Sequence, residues 1–370
     1  MHDFVPLRIA GTCRETSDAL SVSFSVPHAL REAFRFKPGQ HLAVSTILDG
    51  EELRRTYSIC SGPDDEALTV TIKRVPGGRF SGWAFEHLKP GKTLNVMPPA
   101  GRFVFPSAMS ENAHILAIAA GAGITPIMAM ADHAMRRSER TRFTLIYGNR
   151  DPDSIIFRER LEDLKDAFLE RFTLIHILSR NQDGDAPLLE GRITPGKIEA
   201  LAGYAFDIAD IDDAFLCGPG SLIRDTRQCL MDLGLPRERI HHEFFAPAAG
   251  AAARSPVAAE AEAMPADGTA SAASADAAHS EITAIIDGRR HVFAARPGEA
   301  VVDAALRAGV RVPYACKGGM CSTCRARVVE GRARMRINYS LEPWEIEKGF
   351  LLTCQALPET PRLVVDFDQM

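Results

Sequence analysis

Pro313-Tyr314-Ala315-Cys316-Lys317-Gly318-Gly319-Met320-Cys321-Ser322-Thr323-Cys324, with Cys354 downstream, is the stretch on which the reading of this chain turns. Three cysteines spaced C-x4-C-x2-C and followed by a distant fourth match the ligand pattern of a plant-type 2Fe-2S centre, in which four thiolates hold two irons. Gly318 and Gly319 suit that reading, because a loop around a cluster turns tightly and brings backbone N–H groups close to sulfur. A structural zinc site usually takes two C-x2-C knuckles, and only one such pair occurs here. Cys316, Cys321, Cys324 and Cys354 are therefore the expected metal ligands, and the remainder of the chain must explain where electrons for such a centre would come from.

A length of 370 residues favours two or three domains. The formal net charge is -5, and lysine and arginine are spread along the chain, which argues against a nucleic-acid partner. Met1 to Cys13 has no apolar core of a secretory signal, and no apolar run is long enough to span a membrane. Eight cysteines without a leader point to a reducing compartment, the cytoplasm by default.

Working outward, residues 247–280 are rich in Ala, Ser, Pro and Gly and nearly free of large apolar side chains, which predicts a flexible linker. It separates a ferredoxin-sized tail, 281–370, from a front part that changes character near Pro106. Residues 1–106 hold short β-like runs (Ala19 to Val26, His41 to Thr46, Ala67 to Lys73, Thr93 to Met97) between Pro/Gly turns, which predicts an antiparallel β-barrel. In 107–246, apolar strand-like runs alternate with helical ones, the pattern of a doubly wound α/β domain. A helix is expected from Pro126 and another over Ser154 to Phe168. The tail opens with a hairpin, Ile282 to Ala294, and an amphipathic helix, Glu299 to Ala308.

Each front domain carries a candidate site. In the barrel, Arg54-Arg55-Thr56-Tyr57-Ser58-Ile59 places Arg55 and Tyr57 on one strand face. Arginine forks onto a pyrophosphate, and tyrosine stacks on or hydrogen-bonds a flavin ring. Gly77-Gly78-Arg79-Phe80-Ser81 is a Gly-rich entry to a helix, where backbone N–H groups and the Ser81 hydroxyl suit phosphate. In the α/β domain, Gly121-Ala122-Gly123-Ile124-Thr125-Pro126 follows a buried strand and opens a helix, the geometry of a dinucleotide loop, with Pro126 where a glycine is common. The next strand ends at Tyr147-Gly148-Asn149-Arg150, where an NAD-preferring fold often carries an acidic residue. Arg150 points instead to a 2′-phosphate, and Arg180 and Arg192 are either further contacts or solvated loop charges. Cys217-Gly218-Pro219-Gly220 lies at the carboxyl edge of the sheet, which would put Cys217 near a nicotinamide, unless it is a core thiol.

Together these residues resemble the ferredoxin–NADP reductase superfamily, in the branch fused to a C-terminal plant-type ferredoxin domain. Within it, Gly50-Glu51-Glu52-Leu53-Arg54-Arg55, Tyr57-Ser58-Ile59-Cys60, Ile146-Tyr147-Gly148-Asn149-Arg150, Tyr314-Ala315-Cys316-Lys317-Gly318-Gly319, Asn338-Tyr339-Ser340-Leu341-Glu342-Pro343 and Cys354-Gln355-Ala356-Leu357-Pro358 resemble the reductase subunits of bacterial phenylacetyl-CoA epoxidase complexes. The resemblance spans nearly the whole chain. It implies an FAD-binding barrel, an NADPH-binding α/β domain and a β-grasp ferredoxin domain in series. It also implies that Arg55, Tyr57, Ser58, Gly78 and Ser81 hold FAD, and that Gly121, Gly123, Thr125 and Pro126 cradle NADPH. In His241-His242-Glu243-Phe244-Phe245, Glu243 and Phe245 match the superfamily's E-x-F ending beside the flavin. Tyr57, Ser58, Cys217 and Glu243 are then the candidate catalytic residues, with Gly218 and Phe245 among the cofactor contacts.

The expected activity is an NADPH-dependent reductase. A hydride carries two electrons and a 2Fe-2S centre accepts one, so the flavin would convert between them. The resemblance implies a di-iron oxygenase as acceptor, and since no Glu-x-x-His pairs occur on helices here, it would be a separate subunit. From Glu281 onward 13 Lys and Arg face 11 Asp and Glu, so an acceptor with some acidic surface is expected. The alternatives are a reductase for another hydroxylase, a desaturase or a hybrid-cluster protein, or a carrier subunit that has lost nucleotide oxidation.

Overall fold

The computed structural model describes residues 4–106, 110–180, 184, 186–245 and 279–369. Most of the expected linker, 247–278, lies outside the described residues. The chain divides into two compact units, Met1–Ala248 and Ala249–Met370.

The first unit begins with six antiparallel strands: β1 (Val5–Thr16), β2 (Ala19–Ser25), β3 (His41–Leu48), β4 (Glu51–Ser58), β5 (Leu68–Lys73) and β6 (Thr93–Val96), in the order β4-β3-β6-β1-β2-β5. The two edge strands meet where Ile59, just past β4, bridges to Val70 of β5, and the Cys60 N–H donates to the Thr69 carbonyl at 2.9 Å. That closure removes the free edges, as a barrel requires. Alternating side chains fill the inside: Leu7, Ile9, Val22, Phe24, Leu42, Val44, Val70, Ile72 and Val96 are buried, with Phe80 of helix α1 (Arg79–His87) as a plug. Asp49 and Gly50 both take positive φ, 54° and 80°, the Asp-Gly hairpin turn that sets the register of β3 against β4.

The same unit continues with five parallel strands, β7 (His114–Ala120), β8 (Arg142–Asn149), β9 (Phe172–Leu178), β10 (Asp213–Gly218) and β11 (Ile240–Phe244), in the order β11-β10-β7-β8-β9. Alternate residues of the central strands enter two cores. Ala117, Ala119, Leu145, Phe215 and Cys217 pack with α2 (Ile124–Arg137) and α3 (Arg158–Ala167). Leu116, Ile118, Ile146 and Leu216 pack with α4 (Pro195–Leu201) and α5 (Gly220–Asp232) on the other face. Strand order reverses between β7 and β10, which creates a ligand crevice at their carboxyl ends. Two sequence expectations shift. Helix α2 starts at Ile124, so Pro126 lies third in it, still within the turn whose N–H groups have no helical partner. Helix α3 starts at Arg158 rather than Ser154, because Asp151 and Ser154 cap a separate short turn, Pro152–Ser154, and Ile155, Ile156 and Phe157 then dive into the core.

The second unit is an α+β fold. Strands β12 (Ser280–Ile286), β13 (Arg289–Ala295), β14 (Arg325–Glu330), β16 (Phe350–Leu352) and β18 (Arg362–Asp366) form a mixed sheet in the order β13-β12-β18-β14-β16; β15 (Ala333–Met335) pairs with β17 (Ala356–Pro358). Helix α6 (Val301–Arg307) buries Val301, Val302, Ala304 and Ala305 against Ile282, Ala284 and Val365, a sheet grasping a helix. A short α7 (Pro343–Glu347) completes it.

Candidate functional site

The crevice of the first unit is assembled from distant strands. Register places Cys217 of β10 beside Ala119 of β7 on one side and Glu243 of β11 on the other, so the dinucleotide loop, the thiol and the carboxyl share one sheet edge. The barrel meets them there. Ser58, at the end of β4, donates from Oγ to Glu243 Oε2 at 3.5 Å, and His41, its register partner in β3, puts Nδ1 3.9 Å from Glu243 Oε1. Burial pushes the Glu243 carboxyl up to about 8, partly offset by the Ser58 hydrogen bond. Burial also pushes His41 down to about 4 and holds the Cys217 thiol well above its ordinary value, with Glu243 adding to the latter. The centre is thus a neutral carboxylic acid, a neutral imidazole and a thiol near pH 7, able to donate hydrogen bonds without bringing charge into a closed site. Phe245 follows directly, its N–H bonded to the Gly218 carbonyl at 3.0 Å.

The dinucleotide loop depends on its second glycine. A Cβ on Gly123 would lie 2.1 Å from the Cys217 carbonyl oxygen, so only glycine lets the loop press against β10. Gly121 has φ 54°, with its carbonyl held by the Tyr147 hydroxyl at 3.0 Å, and Thr125 Oγ1 donates to the Ala122 carbonyl at 2.9 Å. These contacts fit a backbone cradle for a pyrophosphate at the start of α2. Lys73, which the sequence reading missed, extends from the barrel to this loop, its Nζ 3.6 Å from where a Cβ of Gly121 would stand.

On the flavin side, a Cβ on Gly78 would lie 2.6 Å from Ser81 Oγ, a cradle that admits no side chain. The Ser81 hydroxyl shapes that cradle, accepting from the Val75 N–H at 3.1 Å and donating to the Gly78 carbonyl at 3.3 Å. Tyr57 stands 5.8 Å from Phe80, ring to ring, with burial raising its phenol. Arg55 is exposed and its Nη1 donates to the Arg54 carbonyl at 2.7 Å.

Of the arginines, Arg150 donates from Nη2 to Asp18 Oδ2 at 2.9 Å, and Arg180 donates to Asp151 at 3.4 Å while its N–H binds the Arg150 carbonyl at 2.8 Å. Arg192 is exposed, in a segment that Ile193 seats against Gly148 at the end of β8.

In the second unit the four predicted thiols converge: Cys316 neighbours Cys321 and Cys354, and Cys324 neighbours Cys321 and Cys354. Four thiols gathered in this way suit the four thiolates of a 2Fe-2S centre. Hydrogen bonding from Cys321, then from backbone N–H groups, holds the Cys316 thiol down at about 5, and the Gly318 N–H is 3.3 Å from its Sγ. Lys317, Gly319 and Ser322 all take positive φ, so the loop coils tightly. It is braced from outside: the Gly319 carbonyl accepts from the Tyr339 N–H at 3.0 Å, and the Lys317 carbonyl from Gln355 Nε2 at 2.7 Å. Asn338 folds the bracing segment, its Oδ1 accepting from the N–H groups of Ser340 and Leu341 at 3.1 and 2.8 Å.

A barrel closed over a Gly-rich phosphate turn, a doubly wound sheet with a dinucleotide loop at its switch point, and a thiol-lined grasp fold define a flavin and iron–sulfur reductase. The chain belongs to the ferredoxin–NADP reductase superfamily with a C-terminal ferredoxin domain: residues 7–105 match an oxidoreductase FAD-binding domain, 117–228 an oxidoreductase NAD-binding domain, and 284–359 a 2Fe-2S iron-sulfur cluster binding domain. It is 42% identical to a subunit of the 1,2-phenylacetyl-CoA epoxidase of Escherichia coli over 369 residues, covering 100% of this chain and 99% of that one. The ferredoxin reductase component of 3-ketosteroid-9-alpha-monooxygenase from Rhodococcus rhodochrous is 34% identical over 98% of this chain and 97% of its own length. Among solved structures, phthalate dioxygenase reductase shares the fold, with TM-score 0.59 and 22% identity over 98% of each chain. The chain is thus an NAD(P)H-dependent oxidoreductase carrying FAD and 2Fe-2S domains, like reductase components of multicomponent oxygenases. No described helix is long and apolar enough to cross a membrane.

Proposed function

We propose that this chain draws electrons from NADPH and delivers them, one at a time, to a separate di-iron oxygenase that epoxidises phenylacetyl-CoA in the cytoplasm. Bound NADPH, FAD and 2Fe-2S would supply a hydride, conversion of an electron pair to single electrons, and one-electron output. The residues of the chain supply placement and electrostatics. Arg55 and the backbone turn at Gly78 and Ser81 hold the flavin phosphates, while Tyr57 and Ser58 line its ring. Gly121, Gly123, Thr125, Pro126 and Gly218 seat the nucleotide backbone, with Lys73 neutralising pyrophosphate and Arg150, flanked by Arg180 and Arg192, reading the 2′-phosphate. Cys217 and neutral Glu243 meet the reacting rings, Phe245 closes the crevice, and Glu243 holds a proton at its carboxyl without adding charge. Cys316, Cys321, Cys324 and Cys354 ligate the cluster.

The observation carrying the choice of acceptor is the 42% identity along the entire chain to a phenylacetyl-CoA epoxidase subunit, cluster loop and bracing segment included. Reconstitution with a purified phenylacetyl-CoA oxygenase tests it: NADPH oxidation should become coupled to formation of the epoxide. Brisk ferricyanide reduction with no transfer to that oxygenase would instead favour a second reading, a reductase for another oxygenase, which relatives named for 3-ketosteroid and glycine betaine monooxygenases support. An NADH preference would overturn the reading of Arg150.

A further inference from the structure

The mouth of the nucleotide crevice holds a carboxylate that the reductase reading leaves without a role. Asp18 lies in the turn between β1 and β2, fixed there by the Thr16 hydroxyl, which donates to its Oδ1 at 2.8 Å, and by its own carbonyl, which accepts from the Arg74 N–H at 2.6 Å. Its other oxygen, Oδ2, receives Arg150 Nη2 at 2.9 Å and lies 3.9 Å from Lys73 Nζ. One barrel carboxylate therefore engages both the arginine after β8 and the lysine that reaches the Gly121 loop. The neighbouring charges do not relieve it: Asp151 is occupied by Arg180 at 3.4 Å. Beside Arg150, at the carboxyl end of β8, Asn149 is 8% exposed and neither amide atom has a hydrogen-bond partner. A buried amide left unpaired at the strand end that reads a nucleotide's sugar marks a place built for a polar ligand group.

We infer that Asp18 is a specificity-determining residue: it competes with a 2′-phosphate for Arg150 and repels that phosphate, so that it restrains the preference for NADPH over NADH. The inference rests on Arg150 as the reader of the 2′-phosphate. A phosphate reaching Arg150 must displace or share a carboxylate already bound to it, and two like charges across one guanidinium oppose each other. A nucleotide lacking the 2′-phosphate meets no such competition at Arg150. The Asp18–Arg150 pair is about half exposed on the arginine side, at 48%, so the effect is a bias and not a block.

Calorimetric titration of the intact protein with 2′,5′-ADP and with 5′-AMP, which differ only in the 2′-phosphate, tests this. Asp18→Asn, which keeps the shape and the Thr16 contact, should bind 2′,5′-ADP about three- to tenfold more tightly and 5′-AMP within about twofold of the parent, as expected for one partly screened like-charge contact. The NADPH-to-NADH ratio of kcat/KM should rise by a similar factor, and the gain should shrink with added salt. Unchanged or weaker 2′,5′-ADP binding overturns the inference. Arg150→Gln separates the two readings. If it weakens 2′,5′-ADP while Asp18→Asn changes nothing, only the role of Asp18 falls; if it leaves 2′,5′-ADP unaffected, the reading of Arg150 falls and takes this one with it. Asp18→Ser replaces Asp18→Asn should the latter lose its thermal transition.

Discussion

The cluster loop and the Ser58–Glu243 centre solve opposite problems. Around Cys316 the neighbouring Cys321 thiol and then backbone N–H groups favour the charged, thiolate form, while Cys321 and Cys324 are themselves raised. Around Glu243 it removes water and favours the neutral acid, with neutral His41 and Cys217 as neighbours. One site is built to hold a charged group, the other to keep charge out where rings would stack. The first is nearly contiguous in sequence, three proposed ligands within nine residues and their brace nearby; the second draws on four strands from two domains.

Removing a ligand should break the comparison most visibly. Cys324→Ser is expected to abolish the visible absorption and electron paramagnetic resonance of the reduced cluster and to lower transfer to the acceptor more than about 100-fold, since a four-thiolate centre lacks a substitute ligand. Ferricyanide reduction by NADPH should persist, because it needs only the first unit. A variant that lost both activities together would show that the two sites are not separable functions.

The next effect belongs to packing. Gly123→Ala forces a methyl to within 2.1 Å of the Cys217 carbonyl oxygen, backbone that cannot swing aside. A loss of about 1–3 kcal/mol in unfolding free energy is expected from such overpacking, with NADPH affinity falling and the 2Fe-2S spectrum unchanged. Gly121→Ala, with only Lys73 Nζ at 3.6 Å, meets no comparable clash but must hold φ 54°, so its cost should be smaller.

These two glycines also show what a sequence can and cannot reveal. The strand–Gly–helix pattern and the C-x4-C-x2-C spacing are legible because each is a local constraint on one stretch of backbone. Barrel closure through Ile59 and Val70, and the convergence of the thiols, follow from those runs once folded. Glu243 is recognisable only through family resemblance, and Asp18, His41 and Lys73 do not stand out in the sequence at all. Each gains its meaning from a partner about 50 to 200 residues away, a relation that no spacing within one stretch encodes. Ser81 is the reverse case: its position is legible, but its hydroxyl proves to be engaged by the backbone of the turn.

Opposed titrations sharpen the contrast further. Glu243 is raised from its ordinary 4.5 to about 8, so the folded state binds the proton more tightly and stability falls as pH rises through that window. His41 is lowered from 6.5 to about 4, so its contribution is present above 6.5 and lost as pH falls toward 4. Between about 4.5 and 6.5 the two slopes cancel. Denaturant unfolding of His41→Phe should therefore lose stability relative to the parent with rising pH across that interval, whereas Glu243→Gln should gain relative to it from pH 4.5 to 8, by a total on the order of 5 kcal/mol. Parallel curves for parent and variants would mean that the centre is more hydrated than its burial indicates.

The smallest effect should come from charge at the rim of the cluster loop. Lys317 Nζ binds Asp303 at 2.8 Å, with both side chains about half exposed, at 44% and 45%. Water screens such a pair and side-chain freedom offsets much of its gain, so Lys317→Met should change the thermal stability of the protein by less than about 1 kcal/mol. The cluster spectrum should also survive, because the loop is braced through backbone groups by Tyr339 and Gln355 and not through this ammonium. If Lys317→Met instead destabilised the protein by several kcal/mol, the loop would depend on surface charge for its shape, and the division between a site that gathers charge through its backbone and one that excludes it by burial would not hold.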